Sequence, residues 1–374
     1  MSTDGTANAS TMLAARFYAR GDLRVEPVEV RTVEHGEVKV KVAYLGICGS
    51  DLHEVYGGPL TCCPKGSPHP LTGGELPETL GHEFSGVVEE LGSGVQGLKV
   101  GDRVCIRPVV SCGACDNCRG GNTALCDTRI GLIGYNRPGG MATFVNVPAN
   151  NVHIIPQNVP LDIAALAEPL AVAWHAVECA DLREGDTAFV AGSGPIGALI
   201  ARVLKARGCS QVFVSEPSPI RTEIARSCGV DAVLNPMSVN VVEEVRRLTH
   251  GKGVDVAFEC AGNQNALDAA LETTRARGKV VVVALWEKRA TIDLFGSLLA
   301  RERFITASCC FVERDMDAVL EALAQGRIKV DDLITSRILL QDIVEHGLEV
   351  LKNDASQVKI LVDVEESAKR WVQQ

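Results

Sequence analysis

Thr187-Ala-Phe-Val-Ala-Gly192-Ser-Gly194-Pro-Ile-Gly197 is the stretch that decides the fold of the second half of this chain. A short apolar run leads into a Gly-x-Gly-x-x-Gly turn, and an apolar helical pattern follows the last glycine. A second apolar run, Gln211–Ser215, ends in Glu216, 19 residues after Gly197. A strand, a glycine turn, a helix and an acidic residue at this spacing are typical of a βαβ unit that binds a dinucleotide.

The glycines of this turn have separate physical roles. We expect Gly192 to make the turn, Gly194 to let the backbone approach a pyrophosphate, and Gly197 to let the helix pack closely on the strand. The N-terminus of the helix then faces the phosphates. We also assign to the cofactor site the other residues of the turn, an arginine one helical turn beyond Glu216, and two residues that end a later strand: Pro195, Ile196, Arg221, Ala284 and Leu285.

The residue that ends the second strand predicts NAD rather than NADP. The carboxylate of Glu216 can accept hydrogen bonds from both ribose hydroxyls, and it repels a 2′-phosphate. Arg221 argues in the other direction, because an arginine near this point can accommodate that phosphate. Because the carboxylate of Glu216 lies at the strand end itself, we predict that the cofactor is NAD.

Strand and helix patterns alternate through the rest of this region. Near-continuous runs of Val, Ile and Ala indicate strands that are buried on both faces, as in a parallel sheet. We therefore predict an α/β fold with six parallel strands, doubly wound, in a domain spanning 166–310. The remaining strands are expected at Ala232–Leu234, Val254–Gly262, Lys279–Leu285 and Phe304–Ser308, and the helices at 218–228, 239–249 and 264–275.

The flanking segments, 1–165 and 311–374, are assigned together to a second domain. Its first part shows alternating apolar and polar residues, as in Val28–Val33 and Glu37–Tyr44, which indicates half-exposed strands. Two helical patterns, Met316–Ala324 and Leu340–Leu351, and an apolar strand, Val358–Asp363, are expected to return to it.

This mainly β region carries the residues of a candidate metal site. Gly81-His82-Glu83 pairs an imidazole with a carboxylate, Cys48 lies in a glycine-rich turn, and Glu168 lies where an alanine-rich helix begins. A His-Glu pair alone is commonly a surface pair, a lone cysteine is commonly a small buried apolar residue, and an acid at a helix start is favoured by the helix dipole. Together, however, a thiolate, an imidazole and one or two carboxylates suit zinc with one position left open.

A second cluster holds four cysteines within 15 residues: Cys112, Cys115, Cys118 and Cys126. Four thiolates can close a tetrahedral zinc site with no open position, which is structural rather than catalytic. Four unligated thiols are disfavoured because such a cluster is reactive, and an iron–sulfur cluster is disfavoured because the spacing differs from the ferredoxin patterns. The sequence therefore predicts two zinc ions per chain.

Composition limits the classes of partner. The net charge of −10 and the pI near 5.4 argue against nucleic acid or an anionic membrane as partner. No apolar run approaches the roughly 20 residues needed to span a bilayer. The first ten residues are small and polar and resemble a tail rather than a signal peptide, and 14 cysteines in a long chain are expected to be thiols or metal ligands. We therefore expect a cytoplasmic protein.

In type, spacing and order, these motifs resemble those of the zinc-dependent medium-chain alcohol and polyol dehydrogenases, from Ala14 to Asp363. The resemblance implies a GroES-like, mainly β catalytic domain beside a Rossmann domain. It implies reversible oxidation of a secondary alcohol by NAD, and a homodimer or homotetramer. The catalytic residues that it implies are Cys48, Ser50, His53, His82, Glu83 and Glu168, with a proton relay through Ser50, the cofactor ribose and His53.

A second cysteine ligand at the catalytic zinc is not evident. Glu83 and Glu168 stand in carboxylate positions, as in the polyol, threonine and butanediol branches, and either can complete the site. The run from Pro68 to Gly86 looks most like the butanediol branch, which implies a diol or hydroxyketone substrate such as 2,3-butanediol or acetoin. Sorbitol, xylitol or threonine as substrate stays open, as does a catalytically inactive NAD-binding protein.

Overall fold

The computed structural model describes residues 11–354 and 356–372, so the prediction for the first ten residues lies outside the described range. Two compact units are present. The first contains the described residues up to Glu168, Ile334–Asp354 and the residues from Lys359 onward; the second contains Pro169–Leu333 and residues 356–358.

The strands, numbered along the chain, run from two to ten residues. They are β1 Thr11–Ala19, β2 Asp22–Glu29, β3 Glu37–Gly46, β4 Glu78–Thr79, β5 Glu83–Leu91, β6 Arg103–Ile106, β7 Val109–Val110, β8 Gly131–Leu132, β9 Phe144–Pro148, β10 Val152–Ile154, β11 Thr187–Ala191, β12 Gln211–Ser215, β13 Ala232–Leu234, β14 Val254–Glu259, β15 Thr274–Val282, β16 Phe304–Ala307, β17 Ile334–Leu339 and β18 Lys359–Asp363.

The α-helices are mostly short and lie between these strands. They are α1 Gly49–Gly57, α2 Asp116–Arg119, α3 Leu161–Ala164, α4 Ala167–Cys179, α5 Pro195–Ala206, α6 Pro219–Ser227, α7 Val241–Leu248, α8 Gln264–Thr273, α9 Glu313–Ala324, α10 Glu349–Asn353 and α11 Val364–Val372. No helix among the described residues is long and apolar enough to cross a membrane.

A six-stranded parallel sheet forms the centre of the second unit. Its order is β13-β12-β11-β14-β15-β16, which is the doubly wound order in which the chain starts in the middle and builds outward in both directions. Phe189, Phe213 and Val280 are fully buried between the sheet and its helices. The prediction of six parallel strands is confirmed.

Antiparallel pairing dominates the first unit. Its largest sheet follows the order β10-β6-β5-β3-β18-β17, with β9 also paired to β3, and only β17 and β18 run parallel. Apolar side chains of β1, β3 and β5, among them Phe17, Leu45 and Phe84, fill the core of this unit. The expectation of a mainly β domain is confirmed.

Several features differ from the predictions. The strand expected at Val28–Val33 is instead β2 at Asp22–Glu29, and most residues of β3 are buried instead of half exposed. Helix α9 lies in the second unit, where its Asp315 contacts His175, although 311–374 was assigned to the first domain. Helix α1 was not predicted, because a nine-residue segment with glycine at both ends shows little periodicity. Leu340–Leu351 was expected to be one amphipathic helix, but it is a 3₁₀ turn followed by a π-helical turn and the start of α10.

Candidate metal centre and cofactor site

Cys48 is placed by the turn between β3 and α1, where it is the N-cap residue of the helix. Its backbone N–H donates a hydrogen bond to Asp51 Oδ2 at 2.9 Å, so the carboxylate fixes the first turn of α1. Gly46 lies at the end of β3, and a Cβ there would approach Glu83 Oε2 to 2.4 Å. A glycine at this position therefore leaves room for the carboxylate of Glu83 beside the Cys48 turn.

The first residues of β5 bring an imidazole and a carboxylate to the same place. Glu83 begins β5 and pairs with Gly46 of β3, and His82 immediately precedes it. The ligand atoms of Cys48, His82 and Glu83 all lie within 4.8 Å of one another. The structure thus assembles three of the proposed catalytic-zinc ligands.

Glu168 is buried in the first turn of α4 and is not part of this three-residue group. Burial raises the pKa of Glu168 to about 8; the positive charges of His82 and Lys359 oppose the rise and the carboxylate of Glu83 adds to it. The side chain is therefore close enough to the group to respond to its charges. A divalent cation in this pocket would favour the ionised form of Glu168.

A lysine neutralises the other carboxylate. Lys359 Nζ on β18 lies 2.9 Å and 2.6 Å from the two carboxylate oxygens of Glu83, and both side chains are buried. The same ammonium group donates to the carbonyl of Ile47 at 3.2 Å. Glu83 therefore already has a positively charged partner.

The surroundings of His82 fit a cation. Its Nδ1 is buried without a hydrogen-bond partner among the described residues, and it lies 3.5 Å from Asp51 Oδ1. Burial lowers the pKa of His82, but Asp51 and Cys48 raise it by more, so the net direction is well upward. A field that favours a proton on this imidazole also favours a metal cation beside it. The Cys, His and carboxylate donors suit zinc.

The proposed proton relay begins next to His82. Ser50 Oγ lies 3.4 Å from His82 Nε2, and it accepts a hydrogen bond of 2.9 Å from the hydroxyl of Tyr135. Tyr135 is buried, and its ring centroid lies 5.1 Å from that of His82. His53 is exposed on α1, one helical turn after Ser50. The structure thus places Ser50 beside the ligand set and His53 toward solvent.

The four cysteines of the second motif converge. All four sulfurs lie within 4.8 Å of one another, and the Cys112–Cys118 and Cys115–Cys126 pairs are each 3.9 Å apart. A tetrahedron with zinc–sulfur bonds of about 2.3 Å has edges of roughly 3.8 Å, so the spacing fits zinc. Backbone N–H groups also point at the sulfurs, and the bond from Ala114 contributes most to lowering the pKa of Cys112 to about 6.

In the second unit, the glycine-rich turn follows β11 and precedes α5. Gly192 has a φ of +99°, and a Cβ on Gly197 would come within 2.0 Å of the Gly192 carbonyl oxygen. The position of a Cβ on Gly194 meets only open space, which leaves the backbone accessible to a phosphate. Pro195 and Ile196 form the first turn of α5, whose N-cap is Gly194.

Two backbone N–H groups hold the carboxylate of Glu216 in place. Its Oε2 accepts from the Ser193 N–H and its Oε1 from the Ser218 N–H, each at 2.8 Å. The carboxylate therefore joins the glycine-rich turn to the start of α6 at the carboxyl end of β12, where dinucleotides bind in this fold. Arg221 lies on α6, and its Nε is buried without a hydrogen-bond partner among the described residues.

Two of the predicted cofactor-site residues lie just after the end of β15. Ala284 is partly buried and Leu285 is 73% exposed beyond β15. Phe311, which follows Cys309 and Cys310, is fully buried.

Sequence reasoning missed three residues that shape the metal site. Asp51 lies three residues after Cys48 and was given no role, although a carboxylate three residues after a helix N-cap is a capping signal. Lys359 was visible as a charge inside an apolar strand pattern, which indicates a buried partner. Tyr135 lies between glycine-rich turns and gave no signal.

In comparisons with known proteins, each of the two units matches a family of zinc-dependent dehydrogenases. Residues 34–157 match the family described as the alcohol dehydrogenase GroES-like domain, and residues 195–325 match the zinc-binding dehydrogenase family. An (R,R)-butanediol dehydrogenase of Neisseria gonorrhoeae is 41% identical over 94% of this chain and 99% of its own length. One from Bacillus subtilis is 40% identical with the same coverage. The crystal structure of 2R,3R-butanediol dehydrogenase from Bacillus subtilis has a TM-score of 0.88 at 39% identity, and the match covers 94% of this chain and 99% of that one.

A doubly wound dinucleotide unit accompanied by a mainly β unit with two thiolate-containing clusters defines a zinc- and nicotinamide-dependent dehydrogenase. The similarity extends over nearly the whole length of the relatives and includes both units. The chain belongs to the zinc-dependent medium-chain alcohol and polyol dehydrogenase family.

Proposed function

We propose that this enzyme reversibly oxidises a vicinal secondary diol to a hydroxyketone with NAD, and that its substrate pair is 2,3-butanediol and acetoin. The observation that carries the proposal is the cluster of Cys48, His82 and buried carboxylates in a chain whose full-length relatives are named butanediol dehydrogenases. Oxidation of 2,3-butanediol with NAD, followed by NADH absorbance, tests it. Cys48→Ser should abolish turnover while leaving the fold intact.

Cys48, His82 and Glu168 are the residues proposed to hold the catalytic zinc. Glu83 is an alternative ligand, but its charge is already balanced by Lys359, whereas burial disfavours the ionised form of Glu168 until a cation is present. When bound, zinc supplies Lewis acidity that lowers the pKa of the substrate hydroxyl, and the nicotinamide accepts the hydride.

Proton transfer is the task of the chain's own hydroxyl and imidazole groups. Tyr135 donates to Ser50 Oγ, which orients that hydroxyl next to His82. We assign Ser50 as the first proton acceptor, and His53 as the exposed group that exchanges the proton with solvent. His53→Ala should slow turnover without abolishing it, and imidazole buffer should restore part of the rate. A complete loss that buffer does not relieve would point to a structural role for His53.

NAD is favoured over NADP by the fixed carboxylate of Glu216. Two backbone N–H groups orient it at the carboxyl end of β12, so it meets the ribose without a search through side-chain conformations. A second zinc ion, bound by Cys112, Cys115, Cys118 and Cys126, is proposed to be structural, because four thiolates leave no position for substrate.

The substrate assignment rests mainly on the named relatives. The loop after α1 is anchored by Glu54, whose carboxylate accepts from the backbone of Leu60, Thr61 and Cys62. Leu60 is 63% exposed on this loop and offers an apolar surface. Such a surface favours short methyl-bearing chains over a sugar alcohol, which loses hydrogen bonds with water that apolar groups cannot replace. We therefore propose sorbitol, xylitol and threonine only as alternative, less favoured substrates.

A homodimer or homotetramer is proposed from the exposed face of the second unit. β16 is an edge strand of the six-stranded sheet, and four large apolar side chains on and near it are more than half exposed: Leu294, Phe295, Leu299 and Phe304. Such a patch beside an unpaired edge is typical of an interface. Analytical ultracentrifugation should show an oligomer that Phe295→Glu weakens, whereas a monomeric native enzyme would contradict this proposal.

The 14 cysteines all lie within the described residues, and none of them forms a disulfide. This pattern suits a reducing compartment, so we also propose that the enzyme works in the cytoplasm. Cell fractionation that recovers it outside the cytoplasm would contradict this location.

A further inference from the structure

Two adjacent cysteines lie in the second unit, outside both metal-ligand clusters. Cys309 and Cys310 follow the carboxyl end of β16, and their sulfur atoms are 3.8 Å apart. Cys309 is exposed and Cys310 is partly buried. An exposed thiol with a second thiol within contact distance has the arrangement of a peroxide-reactive cysteine beside its resolving cysteine.

The backbone holds the second cysteine in an unusual conformation. Cys310 has a φ of +54°, in the left-handed region that non-glycine residues rarely adopt. In an extended chain, neighbouring side chains point to opposite faces. The left-handed turn at Cys310 interrupts this alternation and accompanies the close approach of the two sulfurs. This conformation is unfavourable for a residue with a side chain, and the surrounding structure must offset its cost.

A positive charge lies near the exposed thiol. His175 on α4 contacts Asp315 of α9 through Nδ1 at 2.8 Å, and this hydrogen bond, with one to Cys179, raises the pKa of His175 to about 10. The imidazole is therefore charged at neutral pH. The hydrogen bond with Cys310 lowers the pKa of Cys309 to about 6, burial opposes the decrease, and the charge of His175 adds to it. Cys309 is thus a thiolate under conditions in which an ordinary thiol is protonated.

We propose that Cys309 and Cys310 form a reversible oxidation site whose reactant is a hydroperoxide. The thiolate of Cys309 attacks one peroxide oxygen and breaks the O–O bond; with one proton taken up, it becomes a sulfenic acid and the other oxygen leaves as water or an alcohol. The thiol of Cys310 then attacks the sulfenic sulfur, its proton leaves with the hydroxyl as water, and a disulfide forms. The dithiol loses two electrons and two protons, and the peroxide gains them.

The product is expected to be easily reduced. Adjacent α-carbons are about 3.8 Å apart across a trans peptide, which is shorter than the 4.4–6.8 Å usual for disulfides. A disulfide between neighbours is therefore strained, and strained disulfides have more oxidising potentials. An external dithiol reduces it by exchange through a mixed disulfide, which regenerates both thiols.

A second pair of adjacent cysteines in this chain serves as an internal control for the oxidation experiment. Cys62 and Cys63 are also adjacent, but both are buried, and burial raises the pKa of Cys62. They share the sequence feature with Cys309 and Cys310, and Arg129 Nη1 also places a positive charge 3.9 Å from Cys63 Sγ, but both thiols lack the exposure. Peroxide should therefore leave Cys62 and Cys63 reduced under conditions that oxidise the exposed pair.

Mass spectrometry of the full-length, zinc-loaded enzyme tests the proposal. Arg303 and Arg314 flank the pair, so trypsin releases Phe304–Arg314 with both cysteines in one peptide. After brief treatment with hydrogen peroxide and then iodoacetamide, this peptide should lack two hydrogen atoms and carry no alkyl group. Dithiothreitol added before alkylation should restore two alkylated cysteines. The Cys62–Cys63 pair in the same digest should be alkylated with or without peroxide.

Two variants separate the roles of the sulfurs. Cys310→Ser should accumulate a sulfenic acid at Cys309 that dimedone captures. In Cys309→Ser, the peptide Phe304–Arg314 should be oxidised at about one tenth of the native rate or more slowly still. The proposal is overturned if the native peptide keeps two alkylatable thiols to the same extent as Cys62–Cys63. It is equally overturned if oxidation joins Cys309 to another chain instead of to Cys310. Both results are read on the native enzyme and need no variant to fold.

Discussion

Both carboxylate oxygens of Glu83 lie within hydrogen-bonding distance of Lys359 Nζ, at 2.9 Å and 2.6 Å, in the interior of the first unit. The two residues are 276 positions apart and come from β5 and β18. The last strand of the chain therefore brings the lysine to the candidate metal site. The pair balances the charge of Glu83, which supports Glu168 as the proposed carboxylate ligand of the catalytic zinc.

Substitution of Glu168 should therefore affect mainly zinc binding, whereas substitution of Glu83 should affect mainly stability. Glu168→Gln should weaken zinc binding at least about tenfold and reduce turnover accordingly, because it removes a proposed ligand. Glu83→Gln should keep the catalytic zinc but lower the free energy of unfolding by about 3–5 kcal/mol, because it leaves Lys359 buried and unpaired. Zinc content by elemental analysis and urea unfolding measure the two effects. Loss of zinc in Glu83→Gln alone would reverse the assignment.

Removal of one thiolate from the four-cysteine cluster should affect stability before chemistry. Cys115→Ser should release one zinc per chain and cost several kcal/mol, which for a unit of this size is a fall of about 10 °C in the thermal midpoint. The rate per folded, zinc-loaded catalytic site should stay the same. Cys48→Ser is the matched control, because it should lose the other zinc and the activity. A fully stable Cys115→Ser would contradict the structural role.

Cofactor preference should depend on Glu216. Replacing it with serine removes the negative charge at the carboxyl end of β12, so the ratio of kcat/KM for NAD to that for NADP should fall about tenfold or more, in line with roughly 1.5–3 kcal/mol for hydrogen bonds to charged groups. Arg221→Ala should move the same ratio the other way, because it removes the group that can accommodate a 2′-phosphate. Equal efficiency of the native enzyme with both cofactors would contradict the NAD assignment.

The contact between His175 and Asp315 predicts a pH dependence of stability. The pKa of His175 is raised to about 10 by its hydrogen bonds to Asp315 and Cys179, above the value of about 6.5 expected in the unfolded chain. Its contribution is therefore full below about pH 6.5, declines above it and is lost near pH 10. The native enzyme should lose more of its free energy of unfolding between pH 7 and 10 than His175→Asn does. Parallel pH profiles for the two proteins would show that the contact is not stabilising.

The Rossmann unit was predictable because each of its signals is local. The glycine-rich turn, the runs of Val, Ile and Ala, and Glu216 at the next strand end are all readable within short windows, and the sheet order follows from the known doubly wound topology. The helical break within 340–351 was not readable in this way. Gly347 lies in its middle, and a Cβ there would meet Ile47 Cδ1 at 2.6 Å, so the reason for the irregularity lies in a distant segment.

The metal site was predictable in its residue types but not in its charge balance. Cys48, His82 and Glu83 belong to short motifs, and the structure brings their ligand atoms together. The pairing of Lys359 with Glu83 depends on how β18 joins β3, which no local pattern specifies.

The central claim, oxidation of a vicinal secondary diol with NAD, is tested most directly by initial rates on a panel of alcohols. The panel contains the stereoisomers of 2,3-butanediol, sorbitol, xylitol, threonine and simple secondary alcohols, each with saturating NAD and the zinc-loaded enzyme. We predict that one stereoisomer of 2,3-butanediol has the highest kcat/KM, at least about tenfold above sorbitol, xylitol and threonine. The reasons are that relatives matching nearly the whole chain are named butanediol dehydrogenases, and that an apolar surface such as that of Leu60 disfavours substrates with many polar groups. Highest efficiency on sorbitol, xylitol or threonine would contradict the claim.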